Sequence, residues 1–174
     1  MTWKRGSKAY SEMSESRAQQ FIQVIGVGFG PQVIALDEAA FFWNHARGYA
    51  WSPKGCRAVI KRPGIRGHAH SLLLAISTGG VVRWQLYEGA VNAVRFSEFL
   101  QDLPCYSQLV LDNAVIHRAT NVLRRQGLPT VAEVAESRQI VLQYLPPYAP
   151  VLNPVELCFN SIRTYINRET SSHL

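Results

Sequence analysis

The chain has 174 residues, 47% of them hydrophobic, and its longest apolar run is far too short to cross a bilayer. We therefore expect one globular domain in the cytoplasm with no membrane partner. The three cysteines are odd in number and lack C-x-x-C spacing, which argues against a disulfide framework and a zinc site. Eighteen Lys plus Arg against twelve Asp plus Glu give a net charge of +6, which favours a polyanionic partner.

The first third of the sequence predicts a lead segment followed by a buried strand. Residues 1–20 are polar and basic, which is typical of a flexible arm or linker, and a helix is expected over about residues 15–25 before the glycines of GVGFGP. QVIAL (32–36) is apolar without alternation, as in a strand covered on both faces. This strand is expected to end at Asp37 and Glu38.

The middle of the chain predicts strands and then a helix. Residues 50–60 and 70–77 are expected to pair as a hairpin around the turn-rich KRPGIRG, and residues 81–87 form the next strand after two glycines. VNAVRFSEFLQDL (91–103) places its apolar residues at helical spacing.

The last third alternates strand and helix. QLVLDN (108–113) and RQIVLQYLP (138–146) are predicted strands, NVLRRQG (121–127) is part of a helix, and a final helix covers residues 154–167. Such an order predicts an α/β fold in which helices cover a mixed sheet. The final helix has an apolar stripe and, on the opposite face, a polar line that could follow a phosphate backbone: Glu156, Asn160, Arg163 and Asn167.

Three acidic residues are candidates for a shared site. Asp37 and Asp112 each follow a short apolar strand, and the carboxyl ends of neighbouring buried strands can bring two such side chains together. Glu156 comes after the proline-rich PPYAPVLNPVE (146–156), with Asn153 at the expected N-cap and Pro154 at the first helical position. A capping box between Asn153 and Glu156 is the alternative role for this glutamate.

Converging carboxylates repel one another unless a cation neutralises them. Mg²⁺ prefers oxygen ligands, and two such ions can stabilise both the attacking and the leaving oxygen of a phosphoryl displacement. The three acidic residues therefore predict a magnesium-dependent reaction on a phosphodiester.

Three strings, in this order, resemble the catalytic blocks of the mariner-like DDE transposases and their bacterial insertion-sequence relatives: ALDEAAF (35–41), LDNAVIHR (111–118) and YLPPYAPVLNPVE (144–156). The resemblance implies a ribonuclease-H-like α/β fold, with a mixed five-stranded sheet flanked by helices, over residues 21–174. It also implies a homodimeric, nucleoid-associated bacterial enzyme that cleaves DNA at transposon ends and transfers the strands into target DNA.

By the same resemblance, Asp37, Asp112 and Glu156 are the catalytic residues and bind two Mg²⁺ ions, for which Mn²⁺ can substitute. Asn113 and His117 match the family's D-N-x-x-x-H positions and would lie near the site, as would Asn153. An alternative for His117 is a histidine at a helix start whose ring bonds the backbone.

The sequence departs from the family pattern in three ways. The interval between Asp112 and Glu156 is longer than usual, and the excess is expected as a surface insertion at residues 124–137. Phe159 replaces a tryptophan. The sequence has no helix-turn-helix segment, so recognition of transposon ends is expected to be either absent or supplied in trans by a separate helix-turn-helix protein.

Basic residues predict where DNA binds. Most of them surround the predicted hairpin, whose alternative role is an ordinary solvated surface, and one lies on the final helix: Lys54, Arg57, Lys61, Arg62, Arg66 and Arg163. Two other functions remain open, namely a ribonuclease-H-like nuclease without strand transfer and a domesticated DNA-binding module.

Overall fold

The structure is a computed structural model that describes residues 14–26, 33–42, 52–57, 59 and 69–172. Within these ranges, five strands and five α-helices follow one another. They are α1 (Glu15–Gly26), β1 (Val33–Phe42), β2 (Ala69–Ser77), β3 (Gly80–Glu88), α2 (Ala93–Gln101), β4 (Gln108–Leu111), α3 (Thr120–Arg125), α4 (Val131–Ser137), β5 (Val141–Tyr144) and α5 (Val155–Ser172). Short 3₁₀ helices occur at Val115–Arg118 and Pro150–Leu152.

The strands form one mixed sheet in the order β3-β2-β1-β4-β5. β1, β2 and β3 are antiparallel neighbours, whereas β4 is parallel to β1 and β5 is parallel to β4. The predicted mixed five-stranded sheet is therefore confirmed. β1 lies at its centre, where the antiparallel and parallel halves meet.

Helices cover both faces of the sheet, which explains why β1 begins as an apolar run. Ile34 and Leu36 pack with α2, α3 and α4 on one face, whereas Val33 and Ala35 pack with α1 and α5 on the other. Successive strand side chains point to opposite faces, so both sets are apolar when both faces are buried. The predicted helices correspond to α1, α2, α3 and α5.

Two strand predictions were wrong. β1 continues through Asp37 to Phe42, because antiparallel pairing with β2 holds it from Ala35↔Ile76 to Phe42↔Ala69. Asp37 therefore lies within the strand rather than at its end. Residues 52–57 form a turn instead of a strand, closed by a hydrogen bond from the Cys56 N–H to the Pro53 carbonyl oxygen.

The expected surface insertion at residues 124–137 is also wrong. α4 occupies the end of this segment, and its Val131, Val134 and Ala135 are buried in the core against α2 and the sheet. Thr130 and Glu133 form a capping box that starts the helix. The additional residues are thus part of the folded layer.

Residues 1–13 of the predicted arm lie outside the described ranges. Within those ranges, no helix is both long and apolar enough to cross a membrane.

Candidate active site

Parallel pairing of β1 with β4 brings the two aspartates to the same edge. The register runs from Val33↔Gln108 to Ala35↔Val110. Two residues further along both strands, the same register places Asp37 alongside Asp112, which directly follows the last residue of β4. The sheet thus brings together two carboxylates that the sequence separates widely.

Asn153 connects the start of α5 to Asp37. Its side chain is buried, its Nδ2 donates a hydrogen bond of 3.0 Å to Oδ2 of Asp37, and its Oδ1 accepts one of 3.2 Å from the Val155 N–H. The N–H of Asn153 donates to the Pro150 carbonyl oxygen at 2.9 Å, so it does not complete a capping box with Glu156. Glu156 is therefore left in the first turn of α5, on the helix that Asn153 anchors to Asp37.

The pKa of Asp37 reflects its burial and its acidic neighbours. Burial, opposed by a hydrogen bond of 2.8 Å from the Glu38 N–H, raises the pKa of Asp37 to about 7. The negative charges of Asp112, Glu156 and Glu38 add to this rise. Asp37 therefore interacts with both of the other predicted catalytic carboxylates, and a cation would relieve this repulsion.

His117 holds the second aspartate. Its Nδ1 is 2.9 Å from Oδ1 of Asp112, and its Nε2 is 3.2 Å from Oε2 of Glu38. Burial favours neutral imidazole, but these hydrogen bonds to Asp112 and Glu38 outweigh it and raise the pKa of His117 to about 9. The hydrogen bond from His117 in turn lowers the pKa of Asp112. The alternative in which the ring bonds the backbone is met in part, since Nδ1 also lies 3.2 Å from the Asp112 carbonyl oxygen, but Nε2 contacts the Glu38 carboxylate instead.

The donor set has the chemistry that a hard divalent cation requires, since three carboxylates supply oxygen ligands. Each oxygen of Asp37 accepts one hydrogen bond and retains a lone pair. Among the described residues, no three His, Cys, Asp or Glu side chains are already gathered into a complete metal-binding group. The carboxylates thus fit a cation in kind and in charge, although they are not drawn together around one.

The family profile described as DDE superfamily endonuclease matches residues 32–173. This match covers most of the chain, including β1 to β5 and α5. The chain belongs to the DDE superfamily endonuclease family.

Solved structures support the fold of this DDE domain. It superposes on the Mos1 transposase paired-end complex with left transposon end at a TM-score of 0.70 and 21% identity, covering 93% of this chain and 52% of that one. The Mos1 mariner paired end complex with Mn gives 0.71 and 19%, covering 95% and 54%. The mariner Mos1 paired end complex with Mg gives 0.68 and 20%, covering 95% and 53%.

The DDE domain therefore has the expected ribonuclease-H-like fold. It spans about half the length of these Mos1 chains. No curated protein sequence matches it.

The three predicted near-site residues make different kinds of contact in the DDE domain. Asn153 and His117 contact the aspartates directly, as described above. Asn113 instead connects two strand ends, since its Nδ2 donates to the Leu145 carbonyl oxygen at 2.6 Å and its Oδ1 accepts from Arg118 at 2.5 Å. Its role is to hold the chain after β4 against the chain after β5.

The predicted DNA-binding residues of the DDE domain fall into three groups. Lys54 and Arg57 are exposed on the turn at residues 52–57. The guanidinium of Arg163 is not on the face opposite the apolar stripe, because it lies 5.7 Å from the ring centroid of Phe41 and 5.9 Å from that of Phe159. Lys61, Arg62 and Arg66 lie outside the described residues.

Sequence reasoning did not single out Glu38, although it contacts His117 at the candidate site. The Asp37–Glu38 pair was interpreted as the end of a strand, whereas the strand continues and presents Glu38 to His117. Adjacent residues of a strand point to opposite faces of the sheet, so the side chains of Asp37 and Glu38 diverge. His117 connects Glu38 to Asp112 and so to the same edge. The D-E dipeptide was the available signal.

Proposed function

We propose that this domain catalyses DNA transposition, cleaving DNA at transposon ends and transferring the resulting strands into target DNA. The observation that carries the proposal is the convergence of Asp37, Asp112 and the start of α5 at one edge of the sheet. The likeness to the Mos1 transposase complexes supports it, because their fold is shared by nearly the whole chain.

Asp37, Asp112 and Glu156 would be the catalytic residues and would hold two divalent ions, Mg²⁺ or Mn²⁺. Bound there, the ions would activate the attacking hydroxyl and stabilise the leaving oxygen. The raised pKa of Asp37 supports this assignment, since burial and three neighbouring negative charges leave its carboxylate in need of a positive counterion. The Mos1 mariner complexes with Mn and with Mg support a divalent cation of this kind.

Two residues of the chain would position these ligands. Asn153 fixes Oδ2 of Asp37 and, through the cap of α5, keeps Glu156 near it. His117 fixes Oδ1 of Asp112 from the opposite side. Because both partners are buried, the carboxylates would keep their orientation while DNA enters and leaves.

We further propose that DNA binds along the basic residues of the segment 54–66. Lys54 and Arg57 would contact phosphates, together with Lys61, Arg62 and Arg66 of the same sequence segment. Arg163 would contribute charge from α5. A homodimer acting on two DNA ends is supported by the paired-end organisation of the Mos1 complexes.

Two assays on one protein preparation test the function. The first follows nicking of supercoiled plasmid in Mg²⁺ or Mn²⁺, and the second follows joining of labelled 3′-hydroxyl oligonucleotides to a target plasmid. Asp37→Asn, Asp112→Asn and Glu156→Gln should each abolish both signals. Glu136 is an exposed glutamate on α4, so Glu136→Gln serves as the control and should retain both nicking and joining.

The outcomes separate the alternatives. Metal-dependent nicking without joining would favour a nuclease that lacks strand transfer. DNA binding without nicking in either metal would favour a domesticated binding module. Nicking that survives all three carboxylate substitutions would overturn the assignment of the site.

A further inference from the structure

Glu38 is connected to Asp112 through the ring of His117. Glu38 and Asp37 point to opposite faces of β1, because they are successive residues of one strand. Oε2 of Glu38 lies 3.2 Å from Nε2 of His117, and Nδ1 of the same ring lies 2.9 Å from Oδ1 of Asp112. A carboxylate of the central strand thus reaches a candidate ligand on the neighbouring strand through one imidazole.

The ring of His117 is held in place by packing against an aromatic side chain and by hydrogen bonds of its own backbone. Its side chain is fully buried, and its ring centroid lies 4.2 Å from that of Phe96. Its backbone N–H donates to the Ala114 carbonyl oxygen at 3.1 Å, and its carbonyl oxygen accepts from the Tyr144 hydroxyl at 3.4 Å. The imidazole therefore acts as a fixed link rather than as a mobile acid or base.

Both ring nitrogens of His117 face oxygen acceptors. Nδ1 lies 2.9 Å from Oδ1 and 3.2 Å from the carbonyl oxygen of Asp112, and Nε2 lies 3.2 Å from Oε2 of Glu38. Oδ1 of Asp112 then accepts from His117 and, at 2.8 Å, from the Ala114 N–H. These two donors use the capacity of Oδ1 and leave Oδ2 of Asp112 to bind a cation.

We propose that Glu38 is a positioning residue that, through His117, orients Asp112 so that its Oδ2 faces the metal site. This inference rests on the proposed function, because it takes Asp112 to be a metal ligand. Partners that hydrogen-bond the ligands of a metal orient them, and losing one typically weakens metal binding about 10- to 100-fold. Glu38 would therefore influence metal affinity without contacting the metal.

The direct test is calorimetric titration of the full chain with Mn²⁺ alone. Glu38→Ala should weaken Mn²⁺ binding by about 10-fold or more, whereas Glu38→Gln should weaken it less because the amide oxygen still accepts from Nε2. Glu136→Ala removes an exposed glutamate from α4 and should leave the affinity unchanged. Circular dichroism and melting in EDTA establish that each variant is folded.

A double-mutant cycle with His117→Asn distinguishes positioning from a direct charge effect. If Glu38 acts through the ring, Glu38→Ala should cause little further loss of Mn²⁺ affinity once His117 is replaced. If the losses simply add, Glu38 acts independently of His117 and the inference is overturned. Should Glu38→Ala fail to fold, Glu38→Leu, whose side chain cannot accept from Nε2 either, takes its place in the cycle under the same criterion.

Failure of this inference and failure of the proposed function give different results. A folded wild-type chain that does not bind Mn²⁺ overturns both. Mn²⁺ binding that Asp112→Asn abolishes, but that Glu38→Ala leaves at the wild-type affinity, overturns only the role of Glu38.

Discussion

The buried amide of Asn153 donates a hydrogen bond of 3.0 Å to Oδ2 of Asp37, although 116 positions separate the two residues. The same side chain caps α5 by accepting from the Val155 N–H. One residue thus both starts the last helix and orients a carboxylate of the central strand. The substitution of Asn153 should consequently affect stability and function together.

Asn153→Ala should lower the free energy of unfolding by more than the ~1 kcal/mol typical of a lost N-cap, because it also removes a partner from Asp37. It should reduce DNA cleavage as well. Thr130→Ala is the matched control, since Thr130 caps α4 away from the site and its loss should affect stability alone. Urea unfolding and plasmid nicking measure the two effects, and equal nicking by both variants would contradict the dual role of Asn153.

Asp37 should destabilise the metal-free protein as the pH rises. Its pKa is about 7 in the folded state and 3.8 when unperturbed, so the folded state holds the proton more tightly. Stability should therefore fall between about pH 4 and pH 7 and remain lowered above pH 7. Asp37→Asn should stabilise the protein in EDTA at pH 8, on the order of 1–3 kcal/mol after the loss of one hydrogen bond.

That gain should largely vanish at pH 3.5, because the wild-type carboxyl is then protonated in the folded state and mostly protonated in the unfolded state. Divalent cations should reduce the gain at pH 8, because they stabilise wild-type Asp37 and have less affinity for the amide. Urea unfolding at the two pH values provides the measurement. A variant that is less stable than the wild type at pH 8 would show that Asp37 is not under the proposed electrostatic stress.

His117 should make the folding stability depend on pH in a higher range than Asp37 does. Its pKa is raised from 6.5 to about 9, so its ion pairs stabilise the fold fully below pH 6.5 and are lost as the pH rises through 9. The shift corresponds to on the order of 3 kcal/mol. His117→Asn should remove this slope between pH 6.5 and 9 in EDTA, whereas Asp37→Asn should leave it in place; a variant with an unchanged slope would rule out His117 as its source.

Phe159 should be a main determinant of stability for α5. It is 1% exposed and meets the Phe41 ring edge-on at a centroid distance of 6.4 Å. Phe159→Ala should cost about 3–5 kcal/mol of unfolding free energy. Leu157, two residues earlier in the same helix, is 71% exposed, so Leu157→Ala should cost less than about 0.5 kcal/mol of unfolding free energy. Similar losses for the two variants would contradict the packing of α5.

Much of the site followed from local sequence. β4 ends where its apolar run ends, so Asp112 was placed correctly at the edge of the sheet. α5 starts after the proline-rich segment because Asn153 can cap it, and its apolar stripe is buried as its spacing predicts. In both cases the signal is carried by neighbouring residues along the chain.

Other features depend on contacts that no local pattern carries. α4 has only seven residues, too few for its periodicity to distinguish a buried helix from a surface insertion. The turn at residues 52–57 is a different case, because its signal is local: Pro53 and Gly55, the latter with a φ of +87°, favour a bend over the strand predicted there.

The sequence by itself determined the α/β order of elements, the three acidic candidates and the start of α5, because burial on two faces and helix capping leave local patterns. The ribonuclease-H-like fold was implied only by the resemblance to the DDE transposases. Only the tertiary structure decided that β1 continues past Asp37 and that Glu38 meets His117 across 79 positions. A polar residue within a strand resembles a strand end until its partner strand is known. Pairing with β2 keeps β1 extended, and the parallel register with β4 then brings the acidic residues together.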